Sequence, residues 1–164
     1  MKKLALLAVF GLLTLGSSAQ KFGHIISQEF LSLMPERTTA ETSLQEHVKS
    51  LQNKITSMQT EYQSMVENYQ NNEGSYDDLT KQDKIAEIQS LQERLTTFQQ
   101  SAQSSLQQKE QELLQPILEK AQNAIDEVAE KGKYTYILDS SSGFLLYSKD
   151  SENILEKVKK ELGL

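Results

Sequence analysis

The chain of 164 residues contains no cysteine and no tryptophan, and it has only two prolines and seven glycines. Without cysteine it has no disulfide, no thiol nucleophile and no lipid-modified cleavage site, which excludes a lipoprotein anchor. The glycines after residue 19 stand far apart from one another. Their isolation excludes a glycine-rich phosphate-binding loop and, with it, a nucleotide site of that kind.

Positive charge is also scarce. Residues 1–19 contain two of the 17 basic residues, so the remainder has 15 basic residues against 23 acidic ones, a net charge of −8. Binding to DNA or RNA requires a positively charged face that meets the phosphates. The charge balance therefore disfavours nucleic acid as a partner.

No group of side chains has the spacing of a catalytic or metal site. His24 and His47 are not spaced with carboxylates as metal ligands would be, and a histidine in a strand is more often structural. The serines at 140–142 beside Asp139 suggest a nucleophile, but a polar turn explains them better, since no nucleophile-elbow pattern surrounds them. We predict no catalytic residue, no metal and no cofactor, and a protein that is not an enzyme.

Residues 1–19 have the pattern of a secretory signal peptide. Two lysines precede an uncharged, mostly apolar run from Leu4 to Leu15, and small residues follow at 17–19. The run of about 12 residues is too short for a helix to cross the ~30 Å hydrocarbon core of a bilayer. The alternative is an uncleaved membrane anchor. We favour cleavage and export.

Two apolar seams dominate the middle of the chain. Gaps of four and three residues alternate in the first seam, a mean spacing of about 3.5 that is typical of a coiled coil. Its members are Leu44, Val48, Leu51, Ile55, Met58, Tyr62, Met65 and Tyr69. The second seam comprises Ile88, Leu91, Leu95, Phe98, Ala102 and Leu106. We predict that residues 36–113 form one long antiparallel helical hairpin.

The two seams match if facing residues have position numbers that sum to 146, which places Leu51 opposite Leu95. This alignment predicts a turn near 71–75, where asparagine, glycine and serine favour the end of a helix. The return helix is predicted to begin at Ser75, which has capping-box spacing with an acidic residue, and to end at Gly132.

Residues 20–35 and 114–164 are predicted to form a separate body with strands, after a kink at Pro116. Short strands are expected at 22–26, 134–138 and 144–147, followed by a last helix capped by Asp150 or Ser151. So few short strands are marginal alone, and we therefore predict a homo-oligomer held together by them. The candidate oligomerisation residues are Phe22, Ile25, Tyr134, Tyr136, Leu138, Leu145 and Tyr147.

Several short blocks flank the hairpin: Phe22–Ile26, Phe30-Leu31, Met34–Glu36, Pro116-Ile117, Ala121–Ala129, Tyr134–Asp139 and Leu145–Tyr147. With the signal peptide and the hairpin, their order resembles the Skp/OmpH family of periplasmic chaperones for outer-membrane proteins. The resemblance implies a mainly α fold with a small β body, in which three subunits form a homotrimer with helical tentacles. It also implies an ATP-independent holdase that keeps unfolded outer-membrane β-barrel proteins in a periplasmic cavity between the tentacles.

The charge of the hairpin departs from the family pattern. Well-known members of the family are strongly basic, with positive tentacles, whereas residues 36–113 contain seven basic and 13 acidic residues, a net charge of −6. Contact with a membrane surface therefore stays an open question, and the choice of clients is expected to differ.

Flexible apolar side chains near the turn are candidate contacts for clients. Val66 and Tyr76 lie outside the seam and are the better candidates. Met65 and Tyr69 are also candidates, although their seam positions are explained as well by packing within the hairpin. The alternative function is a structural or scaffolding coiled-coil protein of the cell envelope without client turnover.

Overall fold

A computed structural model describes residues 20–143, 145–148 and 150–164 of the chain. The predicted signal peptide and Phe144 lie outside these residues. The elements in chain order are β1 (Phe22–Ile25), α1 (Ser27–Ser32), α2 (Pro35–Asn72), α3 (Asp78–Gly132), β2 (Tyr136–Asp139), β3 (Ser151–Asn153) and α4 (Leu155–Leu162). The predicted fold class, mainly helical with a small sheet and a long helical hairpin, is confirmed.

The chain divides into two compact units. One unit, the hairpin unit, comprises Met34–Lys120, and the other, the strand-bearing unit, comprises the residues up to Leu33 together with Ala121–Leu164. Helix α3 runs without interruption through Pro116, so the same helix contributes residues to both units.

The ends of the two long helices follow from local sequence. Helix α2 begins at Pro35, where the missing N–H of proline costs no hydrogen bond. It ends at Asn72, and a turn of 3₁₀ helix covers Glu73–Ser75. The predicted start of the return helix at Ser75 is therefore wrong by three residues. Asp77 caps α3 instead, because its Oδ1 accepts a hydrogen bond from the N–H of Thr80 at 2.7 Å.

The core of the hairpin unit lies along the seam between α2 and α3. Met58, Leu91 and Leu95 are buried there. Four half-buried side chains pack against them, namely Ile55, Tyr62, Met65 and Phe98. Full burial of a side chain, as for Met58, Leu91 and Leu95, stabilises the fold by roughly 1.5–3 kcal/mol. These seam residues hold the two helices together, as their spacing predicted. Val48 is an exception: it is 45% exposed, because the adjacent His47 faces the other helix instead.

The predicted alignment of the seams is wrong by about one heptad. His47 Nε2 lies 2.9 Å from Ser105 Oγ across the hairpin, and these positions sum to 152, not 146. The presence of Met58 and Leu95 in one buried cluster agrees with this alignment. A shift of seven residues leaves a heptad seam facing its partner, so apolar spacing alone does not distinguish the two alignments.

The strand-bearing unit contains a three-stranded, all-parallel sheet with β1 in the centre and β2 and β3 at its sides. Phe22 lies opposite Tyr136 on one side and Ser151 on the other. Along β1, Gly23 and Ile25 are buried, and the alternate residues Phe22 and His24 are half-buried. The buried side chains of this unit are Ile25, Phe30, Ala121, Ala124, Val128, Ile154 and Val158.

The strand predicted at 134–138 begins two residues later because Tyr134 closes the end of α3. Its N–H bonds to the carbonyl of Ala129 at 3.0 Å, and its ring lies against Gly132, where a Cβ would overlap it. Lys133, with φ of 53°, rather than Gly132, adopts the left-handed conformation that ends the helix. Glycine is required at 132 for space, not for its dihedral angles.

The strand predicted at 144–147 is wrong over its described residues. Residues 145–148 form no strand, and Leu146 is 93% exposed. The third strand is the polar segment Ser151–Asn153, which bonds to the free side of β1. β-Propensity depends on what a strand packs against, and here the available edge outweighs apolar composition.

The predicted caps of the last helix are also wrong, because Ser151 belongs to β3 and Asp150 precedes it. The Oδ1 of Asn153 accepts a hydrogen bond from the N–H of Leu155 at 2.9 Å. Helix α4 then buries Ile154, just before its first residue, and Val158. It ends at Gly163 in the left-handed conformation, a common helix terminus.

Candidate functional site

A groove of about 250 Å³ opens between α2 and α3 in the part of the hairpin nearest the turn. Its apolar lining comes from Met65 and Tyr69 on α2 and Ile88 on α3. Glu61, Glu87 and the amide of Asn68 also line it. We call this the distal groove. It brings together two of the predicted client-contacting residues, Met65 and Tyr69.

Tyr76 lies beside the distal groove. Its ring centroid is 6.2 Å from that of Tyr69, and its hydroxyl donates a hydrogen bond to Oδ1 of Asn68 at 3.3 Å. Val66 is half-buried and does not line the groove. The structure thus places three of the four candidates around one concavity and Val66 next to it on α2.

Two exposed apolar side chains near the turn were missed by sequence reasoning. Leu79 is 69% exposed and Ile85 is 41% exposed. Both lie on α3 before the second seam becomes regular. The sequence does contain a signal for them: both residues are apolar, but neither continues the alternating gaps of three and four residues that define the second seam. An apolar residue outside the seam of a two-stranded coiled coil is expected to be exposed.

The charged groups of the distal groove differ in how they are paired. Lys84 Nζ contacts Glu87 Oε2 at 2.7 Å, and this hydrogen bond raises the pKa of Lys84. Desolvation and the neighbouring Glu73 carboxylate raise the pKa of Tyr69, so its hydroxyl stays neutral at physiological pH. Among the described residues, Glu61 forms no ion pair. Glu61 is therefore the carboxylate of the groove that is open to a partner.

A similar groove of about 150 Å³ lies at the other end of the hairpin unit, and we call it the basal groove. Leu44 and Leu113 give it an apolar lining. Arg37 Nε pairs with Glu41 Oε1 at 2.9 Å, which leaves Glu110 as the carboxylate without an ion pair among the described residues. The two grooves thus have the same construction at opposite ends of the hairpin.

The predicted oligomerisation residues occupy two kinds of position. Ile25 is buried, and Tyr134 is engaged within its own subunit. Tyr136 is 59% exposed and Tyr147 is 77% exposed. Leu138 is exposed as well, whereas Phe22 and Leu145 are half-buried. The exposed members lie on or after β2, which is an outer strand of the sheet.

A polar network fixes Tyr134 within the strand-bearing unit. Its hydroxyl donates to Glu152 Oε2 at 2.5 Å and accepts from Lys157 Nζ at 2.9 Å. Lys21 Nζ lies 4.0 Å from the ring centroid. Hydrogen bonds from Lys157, Tyr134 and Lys21 together lower the pKa of Glu152 to about 2. This network joins Lys21, just before β1, to β3 and α4, and we regard it as structural.

Asp139 holds the turn after β2. Burial alone would raise the pKa of Asp139, but hydrogen bonds from Ser27 and Ser141 outweigh it and lower the pKa to about 2. Ser27 Oγ donates to Oδ2 at 2.6 Å, and the N–H of Ser141 donates to Oδ1 at 2.9 Å. Asp139 and its serines form a turn and not a nucleophile with a base.

The described residues contain neither a candidate metal site nor a candidate membrane-spanning helix. Within them, no group of three or more histidine, cysteine, aspartate or glutamate side chains is placed to hold a metal ion. No helix of the same residues has the length and apolar character needed to cross a bilayer.

The arrangement of a long hairpin and a small parallel sheet corresponds to that of known proteins. The sequence model of the family described as "Outer membrane protein (OmpH-like)" matches residues 21–162. The chain belongs to this family. This OmpH-like chain is 28% identical to "Chaperone protein Skp" of Vibrio cholerae serotype O1 over 174 aligned positions, which cover 99% of each protein.

The OmpH-like chain also has a structural counterpart in Caulobacter crescentus CB15, in a protein described as an OmpH-like outer membrane chaperone. The TM-score is 0.75, and the match covers 90% of this chain and 86% of the other. Because the two sequences are 14% identical, this likeness shows a shared fold.

Proposed function

We propose that this protein is an ATP-independent holdase of the periplasm, which binds unfolded outer-membrane β-barrel proteins and prevents their aggregation. The observation that carries the proposal is the family match over residues 21–162, together with a relative named as the chaperone Skp. The hairpin supports it, because it offers open grooves lined by flexible apolar side chains such as Met65. Such surfaces accept many sequences and suit a client without fixed structure.

We propose that three subunits associate through their strand-bearing units and that their hairpins, residues 36–113, surround the client. The exposed apolar residues on and after β2 support this, since Tyr136, Leu138 and Tyr147 would otherwise lie in water. The outer edges of β2 and β3 add unpaired backbone groups. Enclosure by several hairpins would give weak contacts a combined avidity.

We further propose that residues 1–19 direct export and are removed, which leaves a periplasmic protein. The basic start, the short apolar run and the small residues at 17–19 support this proposal. Separation of a membrane fraction and the N-terminal sequence of the mature protein test it. A mature protein that begins at Met1 and sediments with membranes would contradict it.

Dilution of a urea-unfolded outer-membrane β-barrel protein into buffer tests the holdase directly. We expect the protein to suppress light scattering in a stoichiometric way, without ATP, with saturation near one trimer per client. Unchanged scattering at a threefold molar excess of trimer would favour the alternative, a scaffold of the cell envelope. Sedimentation of the protein alone, at micromolar concentration, checks the trimer in the same samples.

A further inference from the structure

The net charge of the hairpin unit is concentrated near the turn. Residues 60–90 contain seven acidic and two basic residues, a net charge of −5. The other residues of Met34–Lys120 contain seven acidic and six basic residues, a net charge of −1. The distal groove therefore lies in a strongly negative environment, and the basal groove in a nearly neutral one.

The distal groove has the size and lining for a side chain. A volume of about 250 Å³ corresponds to about eight water molecules at roughly 30 Å³ each. The backbone groups of both helices are already hydrogen-bonded within the helices, so the groove offers side chains alone for recognition. Met65, Tyr69 and Ile88 favour an apolar or aromatic occupant.

The charges of the distal groove favour a cation beside that occupant. Lys84 is already paired with Glu87, so it does not compensate the carboxylate of Glu61. A wider concavity next to the groove includes Glu61, Asp83, Glu87 and Arg94, so three carboxylates there outnumber one guanidinium. Because charges within about 10 Å still interact at physiological salt, the surrounding acidic residues add to the attraction for a cation.

We propose that the distal groove selects client segments in which an apolar or aromatic side chain is flanked by lysine or arginine. The apolar side chain would occupy the space between Met65, Tyr69 and Ile88, and the flanking cation would face Glu61. This proposal rests on the proposed holdase function and names the class of segment that this groove prefers.

Designed peptides test the preference with the full-length mature protein. Each unstructured peptide would carry three copies of one phenylalanine flanked on both sides by lysine, by serine or by glutamate. At about 50 mM salt we expect the lysine peptide to bind about two- to fivefold more tightly than the glutamate peptide, the upper part of the range for one exposed ion pair. At 0.5 M salt the ratio should fall below twofold, because screening shortens the reach of the charges.

Two matched variants locate the preference. Glu61→Gln in the distal groove should lower the lysine-to-glutamate ratio by at least half, whereas Glu110→Gln in the basal groove should leave it unchanged. Both remove one carboxylate that has no ion pair among the described residues, and neither removes apolar surface. Met65→Ala should weaken all three peptides alike, because it changes the apolar lining. Circular dichroism confirms that each variant keeps its helices.

Three outcomes would overturn the proposal: equal or tighter binding of the glutamate peptide, a salt-independent ratio, or an equal loss in both glutamate variants. The same preparation is tested for suppression of light scattering. Suppression without a peptide preference would refute the selectivity of the groove and leave the holdase intact. A lack of suppression would refute the holdase, whatever the peptides do.

Discussion

Each of the two units of this protein is stabilised by its own kind of internal contact. The hairpin unit repeats one apolar pattern along α2 and α3, so each turn resembles the next. The strand-bearing unit uses contacts that occur once, such as the network of Tyr134, Glu152 and Lys157. Repetition makes helices easy to form and leaves their alignment weakly specified, whereas unique contacts fix one arrangement.

Removal of a core side chain from the strand-bearing unit should give the largest effect. Phe30 is fully buried there, and Phe30→Ala is expected to lower the free energy of unfolding by about 3–5 kcal/mol. Urea unfolding followed by circular dichroism measures the change. Leu33→Ala is the control, since Leu33 is 45% exposed and its loss should cost about 0.5 kcal/mol or less. Equal effects would contradict a core centred on Phe30.

Engineered cysteines test the alignment of the hairpin, and the absence of native cysteine gives a clean background. The double variant Met58→Cys/Leu95→Cys should form a disulfide readily, because these residues share one buried cluster. Leu51→Cys/Leu95→Cys should not, since seven residues correspond to about 10 Å along a helix, too far for a disulfide. Faster oxidation of the second pair would show that the alignment is shifted by one heptad.

The contact of His47 with Ser105 sharpens the same test. A polar pair in an apolar seam lowers stability but restricts the alignment, because a shift leaves its members without partners. Replacement of both by leucine should raise the unfolding midpoint and also raise the yield of the 51–95 disulfide. If that yield stays at background, the pair does not select the alignment.

Acidification should weaken the strand-bearing unit through Glu152. The pKa of Glu152 is lowered from 4.5 to about 2 in the folded protein. Its stabilising contribution is therefore complete above pH 4.5 and is lost as the pH falls towards 2. Thermal unfolding between pH 6 and pH 2 should show a falling midpoint, with a smaller fall in Glu152→Gln.

The control for this acid series is Glu156→Gln, which removes a single exposed ion pair with Lys159. Such pairs contribute little, so the pH dependence should match that of the unaltered protein. A fall that is identical in all three proteins would show that Glu152 has no part in it.

The smallest effect is expected at the end of α3. Lys133 adopts a φ of 53°, which glycine tolerates better than a residue with a Cβ. Lys133→Gly should therefore raise the free energy of unfolding by about 0.5–1 kcal/mol. The control is Lys133→Ala, which removes the charge of the lysine but keeps a Cβ. It should therefore give no gain in the free energy of unfolding. Equal gains in both variants would trace the effect to the lysine side chain.

Much of the fold could be predicted because its signals are local. The 3–4 spacing of seam residues such as Leu91 and Leu95 predicted two helices and a hairpin. The family resemblance rested on blocks at both ends of the chain, and the family match over 21–162 confirms it. Met65 and Tyr69 were candidates because flexible methionine and aromatic side chains near the turn suit many client sequences, and both line the distal groove. Their contact with clients stays a prediction.

The remaining features depended on contacts between distant residues. A polar segment such as Ser151–Asn153 has no strand signal of its own and becomes a strand because β1 offers it an edge. The one-heptad error arose because the apolar pattern satisfies both alignments, while the deciding contact joins His47 to Ser105. The distal groove needed the correct alignment, since it is formed by residues of both helices.

The central position of β1 has a consequence for the synthesis of this protein. Its first strand precedes the hairpin in the sequence, yet its neighbours on both sides, β2 and β3, follow α3. The sheet therefore forms only once the residues beyond α3 are available, because both partners of β1 lie more than 100 residues further along the chain. A chain interrupted between α3 and β2 would contain the whole hairpin and leave its first strand without either neighbour.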